Sequence, residues 1–188
     1  MSNKNITVIG IGRLGLGLAL LIEKAGFNVC GVDIFPSYVK ALNEKTFKTK
    51  EPEYEDLLKN SKNFHATTDL LEGLNHSDII FIIVPTPNGG GERFYDHSIL
   101  SNLLLKINKH KVKNKSLIIG CTVMPGYIKD IAELLVKDCD TSCKLVDTLI
   151  DLLENKKLQM DLGSQISDLG IKDASMRIAE VGLGLIKK

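Results

Sequence analysis

ITVIGIGRLGLGLALLIEKAGFNVCGVD, residues 6–33, is the stretch of sequence from which the fold follows. Its residue types predict a strand, a glycine-rich turn, a helix, a second strand and a terminal acid, at residues 6–9, 10–15, 16–25, 29–32 and 33. A strand that enters a helix through Gly-x-Gly-x-x-Gly is typical of the first unit of a dinucleotide-binding domain.

Each of the three glycines has a distinct mechanical role in such a turn. Gly10 allows the chain to turn tightly off the strand, and Gly12 leaves no side chain between the backbone and a pyrophosphate. Gly15 lets the helix lie close to the sheet. The N–H groups and the partial positive charge at the helix start then face the phosphates. The alternative is a glycine turn that serves packing alone.

Asp33 lies 18 residues beyond Gly15, at the end of the second strand. A carboxylate at this position can accept hydrogen bonds from both hydroxyls of an adenosine ribose. The same charge would repel a 2′-phosphate. The sequence therefore predicts NAD rather than NADP as the cofactor.

The overall composition is that of an ordinary globular chain. Of 188 residues, 44% are apolar and 25% are charged, and the net charge is +1. This balance argues against a nucleic-acid-binding surface. No apolar run reaches the roughly 18 residues that a membrane span needs, and the N-terminal residues do not resemble a signal sequence. We therefore expect a cytoplasmic protein without a membrane partner.

Four cysteines, Cys30, Cys121, Cys139 and Cys143, occur in the chain. Without secretory features they are interpreted as reduced thiols. Cys139 and Cys143 are four residues apart, but no pair of cysteines or histidines elsewhere completes a zinc-binding set. The sequence accordingly predicts no metal site.

Strand and helix patterns alternate beyond Asp33 up to about residue 136. The clearest later strand is 79–84, an apolar run typical of a strand that is buried on both faces of a parallel sheet. The predicted fold is a Rossmann-type doubly wound, mostly parallel α/β sheet over residues 1–138. Residues 139–188 are predicted as a helical tail, not an independent domain, with no further strand.

Two polar segments permit more than one interpretation. The loop 88–93, with three consecutive glycines, follows the carboxyl end of the fourth strand, where it is either a lid over a ligand or a solvated turn. Five lysines between 106 and 115 are predicted to be a solvated helix end rather than a phosphate site.

Several motifs together resemble the N-terminal half of the UDP-glucose/GDP-mannose dehydrogenase family over roughly residues 4–136. They are Gly10-Ile11-Gly12-Arg13-Leu14-Gly15, Val32-Asp33-Ile34, Glu51-Pro52, Leu57-Leu58, Ala66-Thr67-Thr68-Asp69, Ser77-Asp78-Ile79-Ile80, Val84-Pro85-Thr86-Pro87, Tyr95-Asp96-His97-Ser98 and Thr122-Val123-Met124-Pro125-Gly126. The resemblance implies NAD-dependent oxidation of C6 of a nucleotide sugar, such as UDP-glucose, to a carboxylate through a covalent cysteine adduct.

By the same resemblance, Leu14 and Asp33 hold the adenosine half of NAD, while Thr86 and Thr122 approach its nicotinamide. Arg13 stands where the family usually has an aromatic residue, and Tyr38 where a basic residue often assists the ribose. The predicted cofactor-binding residues are Gly10, Gly12, Arg13, Leu14, Gly15, Asp33, Thr86 and Thr122. The alternative for the two threonines is the capping of local backbone.

The family's second half has no recognisable counterpart in this sequence. The Asn-Pro-Glu-Phe strand that normally follows is missing, while Ser142-Cys143 and Asp147-Thr148-Leu149 echo the segment around the catalytic cysteine. Cys143 and Thr122 are therefore the catalytic candidates.

Three functional hypotheses follow from these observations. The first is the NAD-binding part of a nucleotide-sugar 6-dehydrogenase, incomplete for catalysis, with a possible partner subunit that supplies the rest. The second is a catalytically silent NAD-binding module, a split subunit or a truncated remnant. The third is a small dehydrogenase of the β-hydroxyacid type.

Overall fold

The computed structural model of the chain describes residues 5–88 and 95–142. The chain divides into two compact units, Met1–Lys144 and Leu145–Lys188, and every described residue belongs to the first. The predicted lid at 88–93 lies outside the described residues except for Asn88, and the predicted helical tail lies outside them from residue 143 onward.

Strands and helices alternate along the described residues, as the sequence predicts. The strands are β1 Asn5–Ile9, β2 Asn28–Val32, β3 Phe64–Thr67, β4 Ile79–Ile82, β5 Lys113–Ile119 and β6 Asp140–Ser142. The helices are α1 Arg13–Lys24, α2 Pro36–Asn43, α3 Tyr54–Asn60, α4 Leu70–His76, α5 Ser98–Lys109 and α6 Glu133–Leu135, the last preceded by a π-helical segment, Ile128–Ala132.

All six strands form one sheet in the order β3-β2-β1-β4-β5-β6, and every neighbouring pair is parallel. From β1 the chain builds outward to β2 and β3 on one side and then crosses back to β4 on the other. Between β1 and β4 the sheet therefore has a topological switch point, where ligands bind beyond the carboxyl ends of the strands. The predicted Rossmann-type fold is confirmed.

Two hydrophobic clusters cover the two faces of the sheet. One cluster joins Ile80 and Leu117 of the sheet to Leu74, Leu104 and other buried residues of α4 and α5. The other joins Val8 and Val29 to Ile11, Leu16, Leu20 and further residues of α1, α2 and α3. Burial on both faces explains why the central strands are apolar without alternation.

The fourth strand is shorter than predicted, since β4 ends at Ile82 rather than residue 84. Ile83 N–H still donates to Ile9 O at 2.8 Å. Val84 N–H, however, donates to Cys121 Sγ at 3.4 Å instead of a strand carbonyl. Pro85 follows, and because proline lacks an N–H, the ladder cannot continue.

Two sequence predictions about the second half of the sheet are wrong. We expected no strand after residue 138, but β6 pairs with β5 in parallel, from Lys113↔Asp140 to Ser116↔Ser142. Its three polar residues, Asp-Thr-Ser, are too few to show any hydrophobic period. Strand formation here is decided by backbone pairing at the sheet edge rather than by side-chain pattern.

The lysine cluster at 106–115 is also not one solvated helix end. Lys113 and Lys115 lie in β5, and only 11% of the Lys115 side chain is exposed. Lys115 Nζ donates to Ser77 O at 3.0 Å and forms an ion pair with Asp78 at 2.8 Å. This lysine ties β5 to the start of β4.

Among the described residues, no helix has the length and apolar character needed to cross a membrane.

Substituting the neighbouring leucines of α5 tests the packing of this face. Leu104 is completely buried, whereas 42% of Leu105 is exposed. We expect Leu104→Ala to lower the free energy of unfolding by about 2–5 kcal/mol, because it leaves a cavity under the helix. Leu105→Ala, the matched control, should cost less than about 1 kcal/mol. Equal losses in urea denaturation would contradict this placement of α5.

Candidate functional site

The glycine turn after β1 is built around one close approach of backbone to backbone. Gly10 has φ +87°, and a Cβ placed on it would lie 2.2 Å from Ile83 O. Gly10 N–H donates to Val32 O at 2.8 Å. The end of β1 is therefore fixed against both neighbouring strands, and no side chain fits at position 10.

Gly12 and Gly15 differ in what surrounds them. A Cβ on Gly15 would lie 1.9 Å from Gly10 O, so α1 packs directly on the turn. A Cβ on Gly12 would meet no atom within 4 Å. The space beside Gly12 is thus open in the folded chain, and packing within the described residues does not explain a glycine there.

The start of α1 faces this open space. Gly12 is the N-cap, no side chain caps the helix, and its first turn holds no acidic residue. The N–H groups of the first turn have no partner within a helix, and the helix dipole adds positive charge beside them. This end of α1 can hold an anion against bare backbone.

Asp33 stands at the carboxyl end of β2, half-buried beside the turn. Its own N–H donates to Thr67 O at 3.1 Å, and its Oδ1 accepts from Phe35 N–H at 3.3 Å. Oδ2 has no hydrogen-bond partner among the described residues. The carboxylate is held by the backbone while keeping an oxygen available to a ligand.

Tyr38 supports the turn from α2, a contact that sequence reasoning missed. Its hydroxyl donates to Ile11 O at 2.7 Å, and its ring packs edge-on against Phe47. Burial, followed by the charges of Asp33 and Tyr54, raises the pKa of Tyr38 to about 12. Tyr38 therefore remains a neutral donor that fixes the turn close to the Asp33 carboxylate. The one hint of this role in the sequence is that Tyr38 stands where the family resemblance leads us to expect a basic residue.

Arg13 and Leu14, the first two residues of α1, are both exposed. The Arg13 guanidinium forms an ion pair with Glu51, although 83% of its side chain is accessible to solvent. Leu14 is 68% exposed, and two other apolar residues, Ile34 and Phe35, are 78% and 62% exposed. These apolar surfaces follow β1 and β2 at the same edge of the sheet.

The other side of the switch point carries Thr86 and Thr122. Thr86 is half-buried after β4, and Thr122 is exposed after β5. Cys121, the residue before Thr122, accepts from Val84 N–H and donates to Ile82 O through its Sγ, both at 3.4 Å. Burial raises the pKa of Cys121, so this thiol stays neutral and links the ends of β4 and β5 through hydrogen bonds. Cys143 lies outside the described residues.

A further polar cluster, absent from our sequence prediction, lies where α5 begins. Tyr127 is buried, its hydroxyl lies 2.8 Å from Ser101 Oγ, and its ring centroid is 4.4 Å from that of His97. Burial raises the pKa of Tyr127. His97 belongs to a motif that the resemblance singled out, but only the fold brings it to Tyr127.

Comparison with known proteins identifies this arrangement. The family model described as UDP-glucose/GDP-mannose dehydrogenase family, NAD binding domain, matches residues 4–169. The chain belongs to this family. The matching family model is that of an NAD-binding domain, so the cofactor is NAD. The open space beside Gly12, the uncapped helix start and the Asp33 carboxylate are chemically compatible with a dinucleotide.

Individual relatives agree with the family match. UDP-N-acetyl-D-mannosamine dehydrogenase of Methanocaldococcus jannaschii is 36% identical over 140 residues, which are 72% of this chain and 32% of the relative. GDP-mannose 6-dehydrogenase of Pseudomonas aeruginosa is 27% identical over 71% of this chain and 32% of the relative. The chain thus spans about a third of the length of the curated relatives it matches.

A solved structure shares the fold. The ternary complex of GDP-mannose dehydrogenase from Pseudomonas aeruginosa aligns with a TM-score of 0.65 at 24% identity. The alignment covers 73% of this chain and 34% of that protein. At this identity the similarity supports the fold alone, and it agrees with the sheet described above.

Alanine at Gly12 and at Gly10 should have opposite consequences. Gly12→Ala should leave the free energy of unfolding within about 0.5 kcal/mol, because the added methyl meets open space. It should nevertheless weaken NAD binding at least tenfold by occupying the path of the diphosphate. Gly10→Ala should destabilise the fold, since its Cβ would overlap Ile83 O. Thermal melts and calorimetric NAD titration distinguish the two; unchanged NAD affinity in Gly12→Ala would contradict the assignment.

Proposed function

We propose that these residues form the NAD-binding part of a nucleotide-sugar 6-dehydrogenase. The observation that carries the proposal is the open backbone surface at Gly12, which lies beside an uncapped helix start at the switch point of the sheet. Family membership supplies the reaction class, and the names of the relatives supply the substrate class. Polysaccharide biosynthesis and a cytoplasmic location remain predictions from the sequence.

In this proposal bound NAD would supply the hydride acceptor for oxidation of the C6 alcohol of the sugar. The chain's own residues bind and orient the cofactor. Gly10, Gly12 and Gly15 shape the backbone against the diphosphate, and Asp33 accepts hydrogen bonds from the adenosine ribose. Asp33 also disfavours a 2′-phosphate through charge repulsion, which selects NAD over NADP.

Arg13 and Leu14 flank the same site. Leu14 offers an exposed apolar surface to the adenosine half, and the Arg13 side chain is held by Glu51 beside the helix start. Since Glu51 offsets the charge of Arg13, we expect most of the attraction for the diphosphate to come from the backbone of α1. Thr86 and Thr122 approach the nicotinamide from the ends of β4 and β5.

The proposed part binds the cofactor but does not complete the chemistry. A cysteine nucleophile reacts as its thiolate, which requires a lowered pKa. Burial instead raises the pKa of Cys30, Cys121 and Cys139, the three cysteines whose side chains the structure describes. Cys143 remains the cysteine candidate and Thr122 a second catalytic candidate. We propose that a nucleotide-sugar-binding part, on this polypeptide or on a partner subunit, completes the site.

Removing the ribose acid tests the cofactor assignment. We expect Asp33→Ala to weaken NAD binding more than tenfold, about 1.4 kcal/mol, because the ribose hydroxyls lose their acceptor. The discrimination against NADP should fall at the same time. Asp56→Ala, an exposed acid on α3, is the control with the same change of charge. Equal affinities of both variants and wild type in a fluorescence titration would refute the ribose role.

Turnover decides between the functional alternatives. Purified protein is titrated with NAD, and UDP-glucose, UDP-N-acetylmannosamine or GDP-mannose is then added while NADH absorbance is followed. We expect saturable NAD binding without NADH formation by these 188 residues alone. Appearance of NADH only on adding a partner that binds the nucleotide sugar would support the proposal. Turnover by the chain alone would contradict the proposal that it is incomplete for catalysis. Absence of NAD binding would contradict the proposed function itself.

A further inference from the structure

Three potential metal ligands converge on the face of the sheet opposite α1. Cys30 of β2 and His65 of β3 are partners in the parallel register, and Glu72 reaches them from α4. One ligand atom from each, the Cys30 sulfur, a ring nitrogen of His65 and a carboxylate oxygen of Glu72, lies within 4.8 Å of the other two. Cys30 is distant in sequence from His65 and Glu72, and the pairing of β2 with β3 brings it to them.

The three residues differ in their exposure to solvent. Cys30 is completely buried, while the side chains of His65 and Glu72 are 46% and 49% exposed. Solvent therefore reaches the imidazole and the carboxylate, whereas the sulfur lies beneath the surface.

The outer ligands are themselves held by neighbouring side chains. Glu72 Oε1 lies 3.4 Å from His65 Nε2, and Glu72 Oε2 accepts from the Thr67 hydroxyl at 2.6 Å. The His65 ring packs against His76, with ring centroids 5.3 Å apart. In metal sites, supporting contacts of this kind orient the side chains that coordinate the ion. By contrast, Cys30 Sγ has no hydrogen-bond partner among the described residues.

We propose that Cys30, His65 and Glu72 bind a Zn²⁺ ion. Thiolate, imidazole and carboxylate are all zinc ligands, and three protein ligands with one open position satisfy a tetrahedral ion. Harder cations such as Mg²⁺ and Ca²⁺ take oxygen ligands, so the thiol and the imidazole select against them. The ion would join β2, β3 and α4 on the face of the sheet that α4 covers.

This site is separate from the dinucleotide site. Cys30 belongs to the hydrophobic cluster that contains Leu74 and Val32, whereas the glycine turn and α1 pack on the opposite face with Leu16. Zinc binding and NAD binding can therefore be measured independently. Failure of one proposal leaves the other intact.

Zinc binding requires the thiol to lose its proton. Burial and the nearby Glu72 charge raise the pKa of Cys30 to about 12, so the metal-free thiol is neutral. A divalent cation among the ligands would attract the thiolate and outweigh its repulsion by Glu72. Coordination would therefore deprotonate the thiol. The sulfur forms a bond to zinc and its proton passes to solvent, with no change of oxidation state.

Cobalt spectroscopy of the whole chain tests the proposal. Protein freed of metal by a chelator under reducing conditions is titrated with Co²⁺ and then with Zn²⁺. We expect a thiolate-to-cobalt charge-transfer band that saturates at one equivalent and disappears when Zn²⁺ is added. Zn²⁺ alone should raise the melting temperature in a saturable manner, because it binds the folded state.

Matched variants assign the ligands. His65→Gln should weaken Co²⁺ binding at least tenfold and remove the Zn²⁺-dependent rise in melting temperature, while His110→Gln, an exposed histidine beyond α5, should do neither. Cys30→Ala should abolish the charge-transfer band, while Cys139→Ala should retain it. Because His65 is half-exposed, its substitution keeps the test valid even if Cys30→Ala does not fold. No band in wild-type protein, or a band that survives Cys30→Ala or is unaffected by His65→Gln, would overturn the zinc site.

Discussion

The contact between Gly10 and the Ile83 carbonyl is the constraint on which the rest of the structure depends. A side chain at position 10 would overlap that oxygen, so the turn after β1 can lie against the end of β4 only as glycine. The same closeness lets Ile83 N–H donate to Ile9 O. With β1 and β4 adjacent, the chain must diverge to opposite sides beyond their ends, which creates the crevice at the switch point.

Two side chains fix the backbone around the switch point through hydrogen bonds. Tyr38 donates to the carbonyl of Ile11, and Cys121 bridges the ends of β4 and β5. Both groups carry raised pKa values, since burial disfavours their ionised forms, and they therefore act as neutral hydrogen-bonding groups. On the α1 side of the switch point, the backbone N–H groups and the Asp33 carboxylate are the polar groups that we propose for the diphosphate and ribose of the dinucleotide.

The carboxyl edge of the sheet and its α4 face differ in the chemistry that they offer. At the carboxyl edge, the glycine turn and the start of α1 offer bare backbone, which suits an anionic ligand. The face under α4 brings a thiol, an imidazole and a carboxylate together and suits a soft cation. Both proposed sites depend on β2, which carries Cys30 on its α4 face and is followed directly by Asp33 at the carboxyl edge.

The sequence by itself determined the first strand, the glycine turn, the helix after it and the acid at position 33, because each follows from local residue types and their spacing. It also predicted the parallel sheet from the alternation of apolar runs with helical patterns. Only the tertiary structure decided the pairing of β6, the contact of Tyr38 with Ile11, the hydrogen bonds of Cys121 to the end of β4, and the approach of His97 to Tyr127. The same holds for the approach of Cys30 to His65 and Glu72, since the parallel pairing of β2 with β3 joins residues that are far apart in sequence.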